Sequence, residues 1–180
     1  FFKLNEQVVM KYFRSLLTIF LLLNFSGCIV FEPFLKQSLS EKNIDVNVTS
    51  IVIKKSSRRM YLFENQRLIK SYRIGLGSSP KGDKKIEGDG KTPEGLYYID
   101  RKNPKSRYYL SLGISYPNTS DIAEAEALGK SPGGDIFIHG QDKKPHFLKP
   151  DWTEGCISLK NEEISEIYQI VRVGTPILIH

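Results

Sequence analysis

The chain has 180 residues, of which 40% are hydrophobic and 26% charged, and a formal net charge of +6. This length supports one ordinary globular domain and an appendage. The basic residues are clustered at most in pairs, such as Lys84 with Lys85. A nucleic-acid-binding protein more often carries a basic stripe or a recognition element. The composition therefore argues against a nucleic-acid partner, while attraction to an anionic polymer or cell surface stays open.

Residues 1–27 have the pattern of a secretory signal. Residues 1–9 carry no initiator Met and are interpreted as a misassigned start. Lys11 and Arg14 then precede an apolar run from Leu16 to Leu23. That run is too short to span a bilayer comfortably, although an uncleaved signal anchor is the alternative. Under either interpretation we expect the domain outside the cytoplasm.

The segment Phe25 to Cys28 (FSGC) resembles the lipobox of bacterial lipoproteins, in which the cysteine becomes the lipidated first residue. Phe25 stands where Leu is usual. We expect Cys28 to carry a lipid anchor and residues 28–47 to form a tether. The protein is then expected to be exported, lipid-anchored to a membrane, and located in the periplasm or cell envelope. Its oligomeric state stays open.

From residue 48 to residue 180, β-prone residues alternate with short turns, which predicts a mainly β domain with one or two short helices. The first three strands, joined by short turns, indicate an antiparallel meander. We expect Thr119 or Ser120 to cap the first helix and Asn161 the second. The predicted strands are Ile51–Ile53, Arg59–Phe63, Leu68–Leu76, Leu96–Ile99, Tyr108–Tyr116, Asp135–His139 and Ile177–Ile179, and the predicted helices are Asp121–Leu128 and Asn161–Val171.

The triplet Gly90-Lys91-Thr92 suggests a phosphate-binding loop, but its context does not. Such a loop needs a glycine at position 85, which is lysine here, and a following helix, whereas Pro93 leads into a strand. Lys91 is better interpreted as a loop cation. Three scattered histidines and Cys156 give no zinc-binding set. We expect neither a metal nor a cofactor.

Cys156 and His139 are the candidate catalytic pair. Sixteen residues lie between them, and His139 ends an apolar strand, where packing would fix its ring as a general base requires. A thiol reacts at neutral pH as thiolate, which a nearby imidazole can generate. Gly155 lets main chain approach a substrate, and N–H groups there can line an oxyanion hole. A buried structural thiol and a satisfied core histidine are the alternatives.

The other two histidines are weaker candidates. His146 follows Pro145 in a polar loop, where a surface or substrate-covering role is more plausible than catalysis. His180 ends the sequence and is expected to be solvated.

Three features occur together in this chain: the segment GDGKTPEG, a strand ending in His139-Gly140, and the run from Thr153 to Ile157 (TEGCI). In this combination residues 48–180 resemble the L,D-transpeptidase (YkuD-type) catalytic domain. The resemblance implies a β-sandwich of mixed sheets with short helices. It also implies that peptidoglycan stem peptides are the substrate.

The resemblance assigns roles to residues at the site. Cys156 would attack the carbonyl of the diamino acid at the third stem position and expel the terminal D-Ala. His139 would take the thiol proton, and the Gly140 carbonyl would orient its ring. The main-chain N–H groups of Gly155 and Cys156 would bind the oxyanion. The acyl-enzyme would then pass to an amine, forming a 3-3 cross-link or attaching a protein, or to water.

The resemblance says less about four neighbouring residues. Thr153 matches the family's Ser-or-Thr position and is expected to hydrogen-bond within the site. Trp152 is a candidate for stacking on substrate or for the core. Many members have His where this chain has Glu154, and Asn or Arg where it has Ser158. We expect Glu154 to point outward, because a carboxylate beside the thiol would raise its pKa, and we expect Ser158 at the substrate.

The expected function is therefore an L,D-transpeptidase acting on tetrapeptide stems of peptidoglycan. Within the same chemistry, an L,D-carboxypeptidase that trims stems stays open. A peptidoglycan-binding lipoprotein without catalysis is the alternative from another class, and Glu154 and Ser158 are its support. A generic cysteine protease is disfavoured because no pattern for one is present.

Overall fold

The computed structural model describes residues 46–142 and 150–180. The predicted signal segment, Cys28 and His146 lie outside these ranges. Within them, no helix is long and apolar enough to cross a membrane.

The described residues form eight strands and two helices, and the predicted mainly β fold is confirmed. The strands make one mixed sheet in the order β3-β2-β1-β8-β4-β5-β6-β7. The predicted meander is confirmed, because β1, β2 and β3 pair antiparallel in sequence. The elements are β1 (Ser50–Lys54), β2 (Arg59–Glu64), β3 (Arg67–Arg73), β4 (Gly95–Ser106), β5 (Tyr109–Ile114), α1 (Thr119–Ala127), β6 (Phe137–His139), β7 (Ile157–Ser158), α2 (Asn161–Ile170) and β8 (Pro176–Ile179).

Alternating side chains explain the first strands. In β1, Ile51 and Ile53 are buried, and in β2 so are Met60 and Leu62, while the residues between them are more exposed. Successive strand residues point to opposite faces, so this alternation places one face on the core. Strand β8 lies parallel to β1, with Ile177 opposite Ile51. The N-terminal meander and the last strand therefore share one core.

Strand β4 is much longer than the predicted Leu96–Ile99, and its length connects the two ends of the sheet. Its first part, Gly95 to Tyr98, pairs with β8. From Ile99 onward it pairs with β5, with a register shift between Ile99 and Arg101. Strand β5 then pairs antiparallel with β6, and β6 pairs parallel with β7. This succession carries the sheet to the strands next to the candidate catalytic residues.

Both predicted helices are present, but both predicted caps are wrong. The side chain of Asn118 caps α1 by accepting from the N–H groups of Ser120 and Asp121, and Asp121 accepts from the Asn118 N–H in return. A capping side chain must accept from the N–H groups two or three residues ahead of it. Asn118 is in the right position to do so, whereas Thr119 is already the first residue of the helix. Lys160 is the N-cap of α2.

Asn161 has a different role from the predicted cap. Its side-chain oxygen accepts the N–H of Gln141 at 2.8 Å, which ties the segment after β6 to the start of α2. Ile164 and Ile167 on the same helix are buried in the core. The helix therefore supports the segment that follows His139.

Candidate active site

His139 is held at the end of β6 by its ring and by its main chain. The residue is 3% exposed, and its Nδ1 lies 2.6 Å from the carbonyl oxygen of Gly140. The ring stacks on Tyr108, with centroids 4.5 Å apart and planes 27° apart, and meets Trp152 edge-on at 5.6 Å. A side chain at Gly140 would meet the Asn161 side-chain oxygen at 2.5 Å and the Tyr108 carbonyl oxygen at 2.9 Å, so any larger residue would force its neighbours to shift.

This geometry defines the proton state of His139. A carbonyl oxygen can only accept, so Nδ1 carries the proton and Nε2 is left with its lone pair. Burial lowers the pKa of His139 below its ordinary value, and this outweighs the opposite effects of the Gly140 carbonyl and of Asp142. At neutral pH the ring is therefore neutral, and Nε2 is able to accept a proton.

Cys156 is partly exposed and lies immediately before β7. Its thiol donates to the carbonyl oxygen of Asp135 at 3.5 Å, and not to His139. Burial by the surrounding walls raises the pKa of the thiol, the charges of Asp135 and Glu154 raise it further, and a hydrogen bond from the Phe137 main chain opposes them. In this resting arrangement the sulfur is a thiol beside a neutral imidazole, so a proton must move when the sulfur attacks.

The loop before Cys156 is anchored by contacts from distant parts of the sequence. The carboxylate of Asp151 accepts from Arg58 at 2.8 to 3.0 Å and from the N–H of Leu76 at 3.1 Å. The hydroxyl of Thr153 donates to the carbonyl of Cys156 at 2.7 Å and accepts from the N–H of Gly155 at 3.2 Å. Thr153 thus bonds within the site, where the sequence places it.

Gly155 lets the loop pass close to the GDGKTPEG segment. Its φ is +135°, and a side chain there would meet the Lys91 carbonyl oxygen at 2.6 Å. Because its N–H is engaged by Thr153, it is not directed at a substrate in this structure. The Cys156 N–H has no acceptor among the described residues, so it is the donor left for an oxyanion.

The GDGKTPEG segment forms a wall against the loop before Cys156, and it leads into β4 rather than into the helix that a phosphate-binding loop requires. The buried ammonium of Lys55 donates to the carbonyls of Gly82 and Thr92, at 2.6 and 2.7 Å, and to Glu94 at 2.9 Å. Burial pushes the pKa of Asp89 upward, but the N–H groups of Lys85 and Lys91 bonded to its carboxylate outweigh this and hold the pKa below its ordinary value. This wall supplies the Lys91 carbonyl that contacts Gly155.

Two cavities open at the candidate catalytic pair, one of about 560 Å³ and one of about 230 Å³. The residues that line both are Arg107, Tyr108, Asp135, His139 and Cys156. The larger cavity is also lined by Trp152, Thr153 and Glu154. Cys156 and His139 therefore line two cavities, and the larger one has the volume of an ordinary ligand pocket.

Ser158 and Glu154 are placed differently from each other. Ser158 is 4% exposed, its main chain pairs with Gly75, and it lines neither cavity. Glu154 is exposed at the rim of the larger cavity, which is the outward position expected from the sequence. Any carboxylate of a substrate must therefore be met by a residue other than Ser158.

Sequence reasoning missed Arg107, Tyr108 and Lys84, all of which line a cavity at the site. The sequence offered one usable signal: Arg107 and Tyr108 lie where a long β run must turn back, at the tip of a hairpin. Within the described residues, no group of three His, Cys, Asp or Glu side chains could hold a metal ion.

The L,D-transpeptidase catalytic domain family (YkuD) matches residues 48–179. The chain belongs to this family. Among curated relatives of this L,D-transpeptidase domain, YafK of Escherichia coli K12, a candidate L,D-transpeptidase, is 34% identical over 128 residues. That match covers 67% of this chain and 46% of YafK.

Solved structures share the fold. Pgp2, the helical cell shape determining protein of Campylobacter jejuni, is 32% identical with a TM-score of 0.59, over 82% of this chain and 54% of Pgp2. Bd1075 of Bdellovibrio bacteriovorus, at 24% identity and a TM-score of 0.56, shares the fold over 77% of this chain and 50% of its own. The chain thus spans about half the length of each of these relatives.

Proposed function

We propose that the domain is an acyl-transfer enzyme of the cell envelope that acts on peptidoglycan tetrapeptide stems through Cys156. One observation carries the proposal: a partly exposed thiol and a neutral imidazole with a free Nε2 line the same two cavities. In the first half-reaction the sulfur attacks the carbonyl of the third stem residue. The C–S bond forms, the C–N bond breaks, and D-Ala leaves as the free amino acid.

His139 acts as general base and then as general acid in this scheme. Because the thiol pKa is raised and the imidazole pKa lowered, the proton moves from sulfur to Nε2 during the attack rather than before it. The thiol must first rotate from Asp135 toward the imidazole, and such contacts often tighten only when substrate binds. His139 then gives the proton to the departing amine.

The tetrahedral intermediate needs a donor for its oxygen, and we assign that role to the Cys156 N–H. One such donor typically contributes about 3–4 kcal/mol to transition-state stabilisation. Gly155 contributes by its lack of a side chain, which allows the loop to lie against the Lys91 carbonyl. The Gly140 carbonyl holds the tautomer that leaves Nε2 free.

We propose transfer to an amine as the second half-reaction, giving a 3-3 cross-link or an attached protein. Cys156 lines two cavities, which supports this proposal, since the larger can hold the donor stem while the smaller admits the acceptor amine. Transfer to water, which would make the protein an L,D-carboxypeptidase, uses the same first step.

We also propose that the protein is exported and anchored through a lipid on Cys28, on the basis of the signal-like run and FSGC. The description of Pgp2 as a cell shape determining protein supports a role in shaping the wall. Metabolic labelling with a fatty-acid analogue tests the anchor: label on the wild type and none on Cys28→Ser is expected, and equal label on both would contradict it.

The decisive test is incubation of the protein with purified tetrapeptide stems and measurement of released D-Ala. We expect release by the wild type and none by Cys156→Ala. Dimeric products would indicate transpeptidation, and tripeptides alone a carboxypeptidase.

A non-catalytic binding module is the second candidate, favoured by the resting contact of the thiol with Asp135 and by Glu154 in place of the usual histidine. Binding of stems without turnover, equal in Cys156→Ala, would replace the enzymatic proposal with this one.

A further inference from the structure

Arg107 lies at the tip of the hairpin between β4 and β5. Ser106 pairs with Tyr109, so Arg107 and Tyr108 are the two residues of the turn. The turn is fixed by the Tyr108 N–H, which donates to the Ser106 hydroxyl at 3.1 Å, and by the Leu110 N–H, which donates to the Tyr108 carbonyl at 3.1 Å. Since the Tyr108 ring stacks on His139, the same turn places Arg107 beside the candidate catalytic pair.

Arg107 forms no ion pair within the described part of the chain. Its guanidinium lies 5.7 Å from the centre of the Tyr108 ring, and no carboxylate among the described residues pairs with it. Lys84 is the other cation described at the cavities, and its ammonium already donates to Asp89 at 3.0 Å and to the Ile86 carbonyl at 2.9 Å. Arg107 is therefore the cation available to a ligand there.

Position and geometry indicate what Arg107 would bind. It lines both cavities, as Cys156 and His139 do, and its guanidinium lies 5.7 Å from the centre of the Tyr108 ring, which stacks on His139. If the last peptide bond of a stem lies at the sulfur, the terminal carboxyl carbon is only two bonds beyond the scissile nitrogen. A guanidinium presents paired donors that match a carboxylate.

We propose that Arg107 binds the free C-terminal carboxylate of the residue that leaves, and thereby restricts the enzyme to the terminal bond of a stem. This rests on the function proposed above and adds a specificity determinant to it. Ser158, which the family pattern would place at the substrate, is buried and lines neither cavity. In this proposal Arg107 of the β4–β5 hairpin takes over the contact with the substrate that Ser158 cannot make.

The test compares a tetrapeptide stem that ends in free D-Ala with the same stem ending in D-Ala carboxamide. For the wild type, kcat/KM should be much higher on the acid than on the amide. Arg107→Ala should lower kcat/KM on the acid about 10- to 100-fold, the range of a hydrogen-bonded charge pair, mostly through KM. Its kcat/KM on the amide should fall far less than on the acid, so that most of the preference disappears.

Two further variants separate binding from a structural effect. Arg107→Lys should restore part of the preference, and Arg59→Ala, at an exposed β2 position lining neither cavity, should behave as wild type. Equal loss on acid and amide, or an unchanged preference in Arg107→Ala, would overturn the proposal.

If the wild type turns over neither stem, the proposed function fails, but the role of Arg107 is still tested by binding. Calorimetry on Cys156→Ala should then show tighter binding of the acid than of the amide, and loss of that difference when Arg107→Ala is added. Equal binding of both stems to Cys156→Ala would overturn the inference by itself.

Discussion

The two candidate catalytic residues are held in place in opposite ways. His139 ends a regular strand, and its ring is fixed by residues next to it in the sheet and by the carbonyl of the following residue. Cys156 follows an irregular loop that is anchored to Arg58, 93 positions from Asp151, and packed on Lys91.

This difference has a physical consequence. The position of the base depends on strand register, which the surrounding core also stabilises. The position of the nucleophile depends on a few polar contacts and close main-chain approaches at the surface of the domain. Substitutions that remove contacts of this loop should therefore lower activity strongly and reduce the free energy of unfolding only moderately.

The largest expected effect is that of His139→Asn. The asparagine amide nitrogen can take the place of Nδ1 and donate to the Gly140 carbonyl, but the side chain cannot take the thiol proton, so kcat for D-Ala release should fall about 10²- to 10⁴-fold. Thermal unfolding of the variant is the control for the fold. A variant that keeps wild-type kcat would remove His139 from the mechanism.

Gly155→Ala is expected to be the next most severe change. The new methyl group would lie 2.6 Å from the Lys91 carbonyl oxygen at a φ of +135°, so the loop must shift. We expect at least about 10-fold loss of kcat and destabilisation of about 1–3 kcal/mol, measured by D-Ala release and by urea unfolding.

The matched control is Gly134→Ala, at the same cavity, where nothing lies within 4 Å of the added carbon. Equal losses in the two variants would show that glycine at position 155 has no special role.

Arg58→Ala tests the anchor of the loop. It removes a bidentate, half-buried partner of Asp151, and we expect destabilisation of about 1–2 kcal/mol with a drop in kcat. The exposed pair of Lys70 with Glu166 is the comparison: Lys70→Ala should cost at most about 0.5 kcal/mol and leave kcat unchanged. The anchoring role is contradicted if Arg58→Ala leaves kcat unchanged.

The smallest effect is on the pH profile. Because burial lowers the pKa of His139 from 6.5, the neutral active ring persists below that pH, and kcat/KM should rise with pH and reach half of its plateau value below pH 6.5. Because the pKa of Cys156 is raised from 9.0, the midpoint of the rise in thiolate absorbance at 240 nm should lie above that pH. Thiolate absorbance already present at pH 7 would indicate a preformed ion pair instead.

The part of the site that could be predicted from sequence is the part set by local pattern. The apolar run before His139 predicted its strand, and the motif around Cys156 predicted its loop. The contacts of Arg58, Lys55 and Lys91 could not be predicted, because they depend on which loops the sheet brings together.

The same limit applies to the fold. Alternation predicted the first two strands and their antiparallel pairing, but not the parallel pairing of β8 with β1, since a four-residue apolar strand carries no information on its partner. The length of β4 was missed because its polar second half, Arg101 to Ser106, lacks β-prone residues and is a strand through its pairing with β5.

The most direct test of the central claim is a search for the acyl-enzyme. The protein is mixed with tetrapeptide stem, quenched within the first turnovers and analysed by intact mass and peptide mapping. We predict an adduct equal to the stem without its terminal D-Ala, attached to Cys156 and absent from Cys156→Ala. Release of D-Ala with no adduct on the wild type, or continued release by Cys156→Ala, would contradict it.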